Sequence, residues 1–502
     1  MTNDQRAPAE STGVGRSSLV VGRPSSVVRR HSNLWGILAA VSLVLFLGSI
    51  DGSIVNVALP TLTEKLAVDF ALVRWVVLAY LLSLTVLMVG AGRLADMIGK
   101  QIVFRAGLAL FLIGSVLCGL APGIYWLIGF RAFQAMGAAM MLAVGVPIIT
   151  ETWPPARRGM AIGIASGFLS IGIVVGPIMG ATLLKWLSWR WIFFVNLPFG
   201  LIAIVLVWRY IPPLRPAESH GGFDWAGAVT LGIALLSLSV GLTLGETGNF
   251  LAFHTLLLLL VSLFAALLFL LIEARVRFPM MDLSLFRSSE FSLNLFSSWI
   301  VFTTLAGVVL MLPFYLQFAL RLDVLGMGLL MAVVPIAIGA LQPMAGALSD
   351  RIGARPLIVL GLAMLTVGYL TMSTLRAGGT PLGFIVRLLP VAVGVAAFYS
   401  PNNSAIMGAA PRTRLGVAGG IVSMVRTLGQ VIGVALLGAF FNGRLQQYGG
   451  RGSDLASAPP TVIVLALRDQ FWIVAVVMAI GLAVTLWVWR GGIMENNPTQ
   501  RR

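Results

Sequence analysis

The sequence predicts an all-α membrane protein, and three observations support this fold class. Charged residues make up only 10% of the chain, against about 25% in an ordinary soluble domain. Hydrophobic residues reach 58%, and the mean hydropathy is +0.96. The apolar residues form runs, such as 256–272 and 471–489, close to the ~20 residues that cross a bilayer as a helix. A β-barrel would instead alternate apolar and polar residues, so helices are predicted.

Glycine, proline and charged residues divide the apolar sequence into fourteen predicted spans. An even number of spans places both termini on one side of the membrane. Most of the 34 lysines and arginines then lie on that side, which predicts cytoplasmic termini. The spans are residues 35–59, 71–92, 102–120, 124–149, 158–184, 191–211, 224–244, 251–272, 291–317, 325–346, 356–374, 381–408, 416–440 and 470–490.

The segments outside the spans complete the predicted domain organisation. Residues 1–33 are rich in Ser, Pro and Arg and lack an apolar core, so we expect a disordered cytoplasmic tail rather than a signal peptide. We further expect a first six-helix bundle at 34–215, two inserted helices at 216–285, a second six-helix bundle at 286–490 and a cytoplasmic tail at 491–502.

An internal duplication supports the division into two halves. The loop GRLADMIGKQ (92–101), after span 2, shares its Gly, Asp and Gly with GALSDRIGAR (346–355), after span 10, at an offset of 254 residues. Arg131 and Arg387 keep nearly this offset, and two glycines of span 5 recur in span 13. Parallel halves of this kind are a transporter architecture, with the substrate site between them near the membrane midplane.

The repeated loops are predicted to act as a conformational latch. Their glycines allow a tight turn at the membrane surface, and their charged residues can form an ion cluster with neighbouring helix ends. Such a cluster would stabilise one of the two conformations that alternating access requires. The predicted latch residues are Gly92, Arg93, Asp96, Gly99, Lys100, Gly346, Asp350 and Gly353.

Asp51 is the candidate functional carboxylate, because it is the one charged residue in the apolar stretch 34–62. A carboxylate at membrane depth is costly unless it is paired, solvated or protonated, so it marks a proton, ion or substrate pathway. The alternative is a carboxylate at a helix end that reaches water. Asn56 and Pro60, just downstream, keep that alternative open.

Span 5 carries a pattern for close helix packing. Gly172, Gly176 and Gly180 fall on one helix face, and small residues at this spacing allow helices to approach closely. Pro177 interrupts the backbone hydrogen bonds of the same helix. A single glycine pair would indicate packing alone, whereas the Gly-Pro pair and the third glycine form a more specific signature.

These motifs resemble the major facilitator superfamily, and within it the drug:proton antiporters with fourteen transmembrane helices. The resemblance covers residues from about 34 to 489. Two features depart from the family: Ala354 stands where a second basic residue is common, and span 13 has no carboxylate. The motifs that carry the resemblance are SIDGSIVNVALPTL (49–62), the loop at 92–100, RAFQAMGAA (131–139), GIVVGPIMG (172–180), WRWIFFVNLPFG (189–200), FDWAG (223–227) and RTLGQVIGVA (426–435).

The resemblance implies a major facilitator fold and export of hydrophobic, cationic or neutral toxic compounds in exchange for protons, without a cofactor. It implies that Asp51 binds the proton and that Arg131 lies near it. A nearby arginine favours the ionised carboxylate and burial favours the neutral one, so the balance can differ between inward-open and outward-open states. The implied location is the bacterial inner membrane, where a periplasmic adaptor and an outer-membrane channel are candidate partners.

Polar residues within the spans are candidate substrate contacts beside a broad apolar cavity. A structural role is an equal alternative for Arg426. An exporter of one metabolite, lipid or siderophore would look the same in sequence. A membrane enzyme is disfavoured because zinc and Walker-type motifs are absent, and scattered basic residues argue against nucleic acid. The candidate contacts are Asn56, Tyr80, Gln134, Gln317, Asn402, Arg426 and Gln430.

Overall fold

The structure is a computed structural model, and it is all-helical over the residues that it describes. These are residues 34–495, with gaps at 155–156, 215–223, 248–250, 277–278, 280–282, 411–414, 451–454 and 456–457. The predicted N-terminal tail and residues 496–502 lie outside this range. Fourteen helices are long and apolar enough to cross a membrane, which confirms the predicted fold class and number of spans.

Several helices extend beyond the predicted spans. The first helix continues to Leu66 and the last begins at Pro460, because charged residues near those ends interrupt the apolar run but are compatible with helix outside the lipid. In chain order the helices are α1 Leu34–Leu66, α2 Phe70–Val73 continuing as Trp75–Ile98, α3 Lys100–Gly119, α4 Ile124–Thr152, α5 Arg158–Trp186, α6 Trp191–Phe194 continuing as Asn196–Tyr210, α7 Trp225–Thr247, α8 Phe253–Glu273, α9 Ser289–Phe314 continuing as Tyr315–Ala319, α10 Val324–Ile352, α11 Ala354–Met372, α12 Pro381–Ala409, α13 Leu415–Gly449 and α14 Pro460–Glu495.

The two six-helix halves repeat the same helix pairing. In the first half α1 packs along α5, and α4 packs against both α2 and α3. In the second half α9 packs along α13, and α12 packs against both α10 and α11. These pairs correspond to each other under the sequence offset of the duplication.

The inserted helices α7 and α8 form a hairpin against the junction of the two halves. α7 contacts α2 of the first half and α13 of the second, and Arg74 Nη2 donates to Thr243 Oγ1 at 2.8 Å. Ser262 Oγ of α8 donates to the carbonyl of Ala234 in α7 at 2.8 Å. Most apolar side chains of α8 are exposed, as expected for a helix that faces lipid.

The two halves meet at the membrane end opposite the latch loops, which we call the closed end. There the ring of Phe70 packs edge-on against Phe314, with centroids 5.1 Å apart. Lys185 Nζ of α5 lies 3.5 Å from Asp323 Oδ2, directly before α10. At the other end, side chains added at Gly163 or Gly167 of α5 would meet open space. Near the closed end, a Cβ added at Gly328 of α10 would instead overlap Ala181 of α5. The second half therefore covers α5 at the closed end and leaves it uncovered at the end that carries the latch loops, which we call the open end.

Candidate proton and substrate site

The central feature of the first half is the buried carboxylate of Asp51, on α1. Its side chain has no solvent exposure, and Arg131 of α4 is 1% exposed. Arg131 Nη1 donates to Asp51 Oδ2 at 2.7 Å. The structure therefore brings the two predicted coupling residues into direct contact, and Asp51 does not reach water at a helix end.

Two amides complete the hydrogen bonding of the carboxylate. Gln134 Nε2 and Asn196 Nδ2 each donate to Asp51 Oδ1 at 2.9 Å. Ser115 Oγ accepts from the same two amide nitrogens, at 2.8 and 3.2 Å. Helices α1, α3, α4 and α6 thus supply one connected polar network, which offsets part of the cost of burying the ion pair.

Arg131 connects this network to the space between the two halves. Its guanidinium carbon lies 4.1 Å from the centre of the Tyr80 ring, and Nε donates to the carbonyl of Val76 at 3.3 Å. Nη1 also donates to Gln134 Oε1 at 2.6 Å. The cation is therefore held by a carboxylate on one side and an aromatic face on the other, a combination that stabilises a desolvated guanidinium.

The glycine face of α5 packs against the part of α1 that carries Asp51. A Cβ added at Gly172 would overlap Ser49 Oγ, and one at Gly176 would overlap Ser53 Oγ. Ser53 Oγ donates to the carbonyl of Gly172 at 3.2 Å. A Cβ at Gly180 would lie 2.6 Å from Ile54 Cγ1. Ser49 and Ser53 flank Asp51 in the sequence, so the close approach of α5 to α1 requires glycine opposite both of these serines.

A cavity of about 360 Å³ lies between the two halves beside this network. Side chains of α1, α2, α4 and α5 line one side, and side chains of α9 and α13 line the other. Ala306, the repeat equivalent of Asp51, belongs to the second side, so the ionisable pair is confined to the first half. Polar or aromatic groups on the wall are Ser49, Ser53, Asn56, Tyr80, Arg131, Phe302 and Gln430.

The predicted substrate contacts separate into two groups. Asn56, Tyr80 and Gln430 line the cavity. Gln134 instead holds Asp51, and Gln317 Nε2 donates to Glu64 Oε1 at 3.1 Å on the exposed surface. Asn402 is buried in the second half, where its amide donates to Ser298 Oγ at 2.7 Å.

Arg426 stands one helical turn from Gln430. Its guanidinium carbon lies 5.1 Å from the ring centre of Phe302, which lines the cavity. It is therefore adjacent to the cavity rather than on its wall.

The latch loops show the tight turns that their glycines predict. Gly99 has φ +105° and Gly353 has φ +87°, a region that favours glycine. Lys100 Nζ at the start of α3 lies 2.6 Å from Glu151 Oε1 near the end of α4. In the second half the equivalent of Lys100 is Ala354, and Arg355 Nη2 instead lies 3.3 Å from Glu290 Oε1.

Part of the predicted latch lies beyond what the structure defines. Gly92 and Gly346 are described and lie inside α2 and α10, so the prediction that they form part of the tight turn is wrong, because the helices continue past them to Gly99 and Gly353. The side chains of Arg93, Asp96 and Asp350 fall outside the described residues.

The sequence did not single out Ser115 and Asn196. Both are fully buried and both belong to the Asp51 network. The sequence could have indicated them only as neutral polar residues inside apolar spans. Asn196 also lies within the family motif at 189–200. Many polar residues share that signal, so helix rotation and crossing were needed to bring these two to the carboxylate.

Comparisons with known proteins agree with this architecture. The sequence matches the Major Facilitator Superfamily over residues 41–434 and 293–501. It is 32% identical over 456 residues to the riboflavin transporter RibZ of Clostridioides difficile (strain 630), covering 91% of this chain and 98% of RibZ. It is 34% identical over 403 residues to the multidrug resistance protein Stp of Mycobacterium tuberculosis (strain ATCC 25618 / H37Rv), covering 80% and 75%.

The fold is also similar to a solved structure of a bacterial homologue of the human lysosomal transporter Spinster in an inward-facing, unoccupied conformation. The TM-score is 0.65 at 16% identity, and the match covers 91% of this chain and 97% of that one. The fourteen membrane helices and the duplicated halves agree with these matches. The chain therefore belongs to the major facilitator superfamily, in its fourteen-helix drug-efflux group, and is a transporter rather than an enzyme.

Proposed function

We propose that the protein is a proton-coupled exporter of hydrophobic compounds that works by alternating access. The observation that carries this proposal is the fully buried Asp51, which lies 2.7 Å from Arg131. The side chain of Arg131 in turn lines the cavity. An ionisable group at this depth is a functional group by default. Its partner provides a direct physical link between proton binding and the cavity wall.

Protonation of Asp51 changes the stability of this arrangement. It neutralises the carboxylate and leaves the Arg131 charge buried without its counter-ion. Removing one partner of a buried pair typically costs about 3–5 kcal/mol, which approaches the ~5.5 kcal/mol that moves a two-state equilibrium from 1:99 to 99:1. Because α1 is packed tightly on α5 at Ser49 and Ser53, a shift of α1 would move α5 with it.

The direction of transport follows from the open end. The lysine and arginine asymmetry supports cytoplasmic termini and latch loops, so in this proposal the open end faces the cytoplasm and the cavity accepts a compound from there or from the inner leaflet. Binding of that compound releases the proton from Asp51. After the switch, the outward-facing site releases the compound and takes up a new proton, so the proton gradient drives export.

A second candidate function is transport of one aromatic metabolite by the same machinery. The relative RibZ is named a riboflavin transporter and is matched over 98% of its length. Flavins carry a planar aromatic ring, which suits a cavity with Tyr80 and Phe302 on its walls. The two candidates differ in the breadth of substrates and share the proton step.

Accumulation by acid-inside proteoliposomes tests the proposal, with ethidium, chloramphenicol, nalidixate and riboflavin as probes and protein-free liposomes as the blank. We expect the wild-type protein to accumulate at least one probe, and riboflavin alone if the second candidate is right. Asp51→Asn should abolish uphill accumulation but keep downhill exchange, because an amide resembles the protonated acid and cannot release a proton.

The matched control is Asp69→Asn. Asp69 is exposed and caps α2 by accepting from the Leu72 amide at 2.9 Å, a role that asparagine also fills. This variant should transport like the wild type. Undiminished uphill transport by Asp51→Asn, or accumulation of none of the four probes by the wild type, contradicts the proposal.

A further inference from the structure

We infer that Arg426, Tyr399 and Asn403 form an anion-binding site for the acidic group of aromatic substrates. We call these three residues the donor cluster. The inference rests on the proposed function, since it names the class of compound that the cavity takes. It concerns the second half of the protein, opposite the Asp51 network.

The donor cluster is assembled from α12 and α13 beside the cavity. Arg426 Nη1 donates to Tyr399 Oη at 3.1 Å, and Nη2 lies 3.4 Å from Asn403 Oδ1. The guanidinium carbon lies 4.4 Å from the centre of the Tyr399 ring and 5.1 Å from that of Phe302. Phe302 lines the cavity, so the guanidinium lies next to an aromatic part of the cavity wall.

Both hydrogen-bond partners of Arg426 accept from it, which leaves their own protons available. The Tyr399 hydroxyl keeps one donor, and the Asn403 amide keeps two. Arg426 Nε is buried without a hydrogen-bond partner among the described atoms. The cluster therefore presents several donors and needs acceptors, which a carboxylate or another anionic group supplies best.

The charges around the cavity favour the same class of ligand. The guanidinium of Arg131 is neutralised by Asp51 at 2.7 Å. Within the part of the chain that the structure describes, none of the ion pairs includes Arg426. One positive charge next to the cavity is therefore uncompensated, and in a poorly solvated site it attracts anions and repels cations. This differs from the cationic or neutral substrates that the family resemblance implied.

The aromatic rings define the rest of the substrate. Phe302 and Tyr399 pack against each other with ring centroids 6.0 Å apart, and Tyr80 faces the cavity from the first half. A planar ring can stack between such groups while its acidic substituent reaches Arg426. The proton site lies on α1 and α4 in the other half, so the bound anion does not have to touch Asp51.

The test compares three probes that share one aromatic body: 1-pyrenebutyrate, 1-pyrenebutanol and 1-pyrenebutylamine. Binding to the purified full-length protein is measured by equilibrium dialysis against protein-free micelles of the same detergent, which cancels partitioning into detergent. We expect the wild type to bind the butyrate most tightly. Arg426→Gln should weaken butyrate binding about 10- to 100-fold and change butanol binding much less.

Two further variants keep the test decisive. Tyr399→Phe retains the ring but removes the hydroxyl, so it should weaken butyrate binding selectively even if Arg426→Gln does not fold. Arg387→Gln is the matched control, because Arg387 lies in the same helix as Tyr399 but binds Thr374 Oγ1 and the Gly383 carbonyl, away from the cavity. It should leave the three affinities unchanged.

The inference is overturned if the wild type shows no preference for the butyrate, which includes binding none of the probes. It is also overturned if Arg426→Gln and Tyr399→Phe weaken all three probes equally, since that result assigns the cluster a structural role. Dialysis requires no proton gradient. A transporter that binds the butyrate but fails to accumulate compounds would contradict the proposed proton coupling alone.

Discussion

Replacing Gly176 by alanine should destabilise the first half, because it forces α1 and α5 apart. The added Cβ would overlap Ser53 Oγ and would lie 2.9 Å from Ser53 Cβ and 3.2 Å from the Ile54 amide nitrogen. The last atom is backbone, so rotation of a side chain cannot relieve the whole contact. Overpacking of this kind costs about 1–3 kcal/mol, while alanine gains about 1 kcal/mol over glycine in helix propensity.

The matched control is Gly167→Ala in the same helix, where an added Cβ meets open space. It gains the same propensity without the clash, so the two variants should differ by about 1–3 kcal/mol. Thermal unfolding in detergent, followed by tryptophan fluorescence, measures this difference. Adding Ser53→Ala should restore part of the loss, as contacting residues are not additive. Equal stability of Gly176→Ala and Gly167→Ala would refute close packing of α5 on α1.

Three further predictions concern the polar network, the latch and the topology. Asn196→Ala should lower stability by about 1.5–3 kcal/mol, since a buried carboxylate loses a donor; an unchanged unfolding temperature would count against the network. Lys100→Gln should lower the free energy of unfolding by no more than about 1 kcal/mol, because the partner of Lys100 is partly exposed. The same variant should nevertheless slow transport, and a wild-type transport rate would remove Lys100 from the latch. With an impermeant maleimide added outside, Ser188→Cys should react and Met97→Cys should not, and the reverse pattern would invert the topology.

The sequence predicts the fold well because the bilayer imposes it. An apolar run long enough to cross the lipid has to be a helix, so the fourteen spans follow from composition and length alone. The ends of helices are less predictable, since residues such as Glu64 and Lys65 end an apolar run without ending the helix. The duplication identifies equivalent helices in the two halves without any contact information. It therefore predicts that the helices of each half pair in the same way.

The site is only partly predictable for a different physical reason. Asp51 is conspicuous because a charge in an apolar span is costly, and the family resemblance assigned Arg131 to its vicinity. Neutral polar residues carry no such signal, so Asn196 was missed and Gln317 was included although it lies at the surface. Which polar side chains meet depends on helix rotation, and the sequence leaves that rotation undetermined.

Proton release from the purified protein tests the central claim most directly. The protein is placed in weakly buffered detergent solution with a pH indicator, and the probe that the proteoliposomes accumulate best is added. The account predicts release of about one proton per molecule from the wild type and from Asp69→Asn, and none from Asp51→Asn, since the Asp51 carboxylate carries the exchange. Undiminished proton release by Asp51→Asn would contradict the account and remove Asp51 from the coupling mechanism.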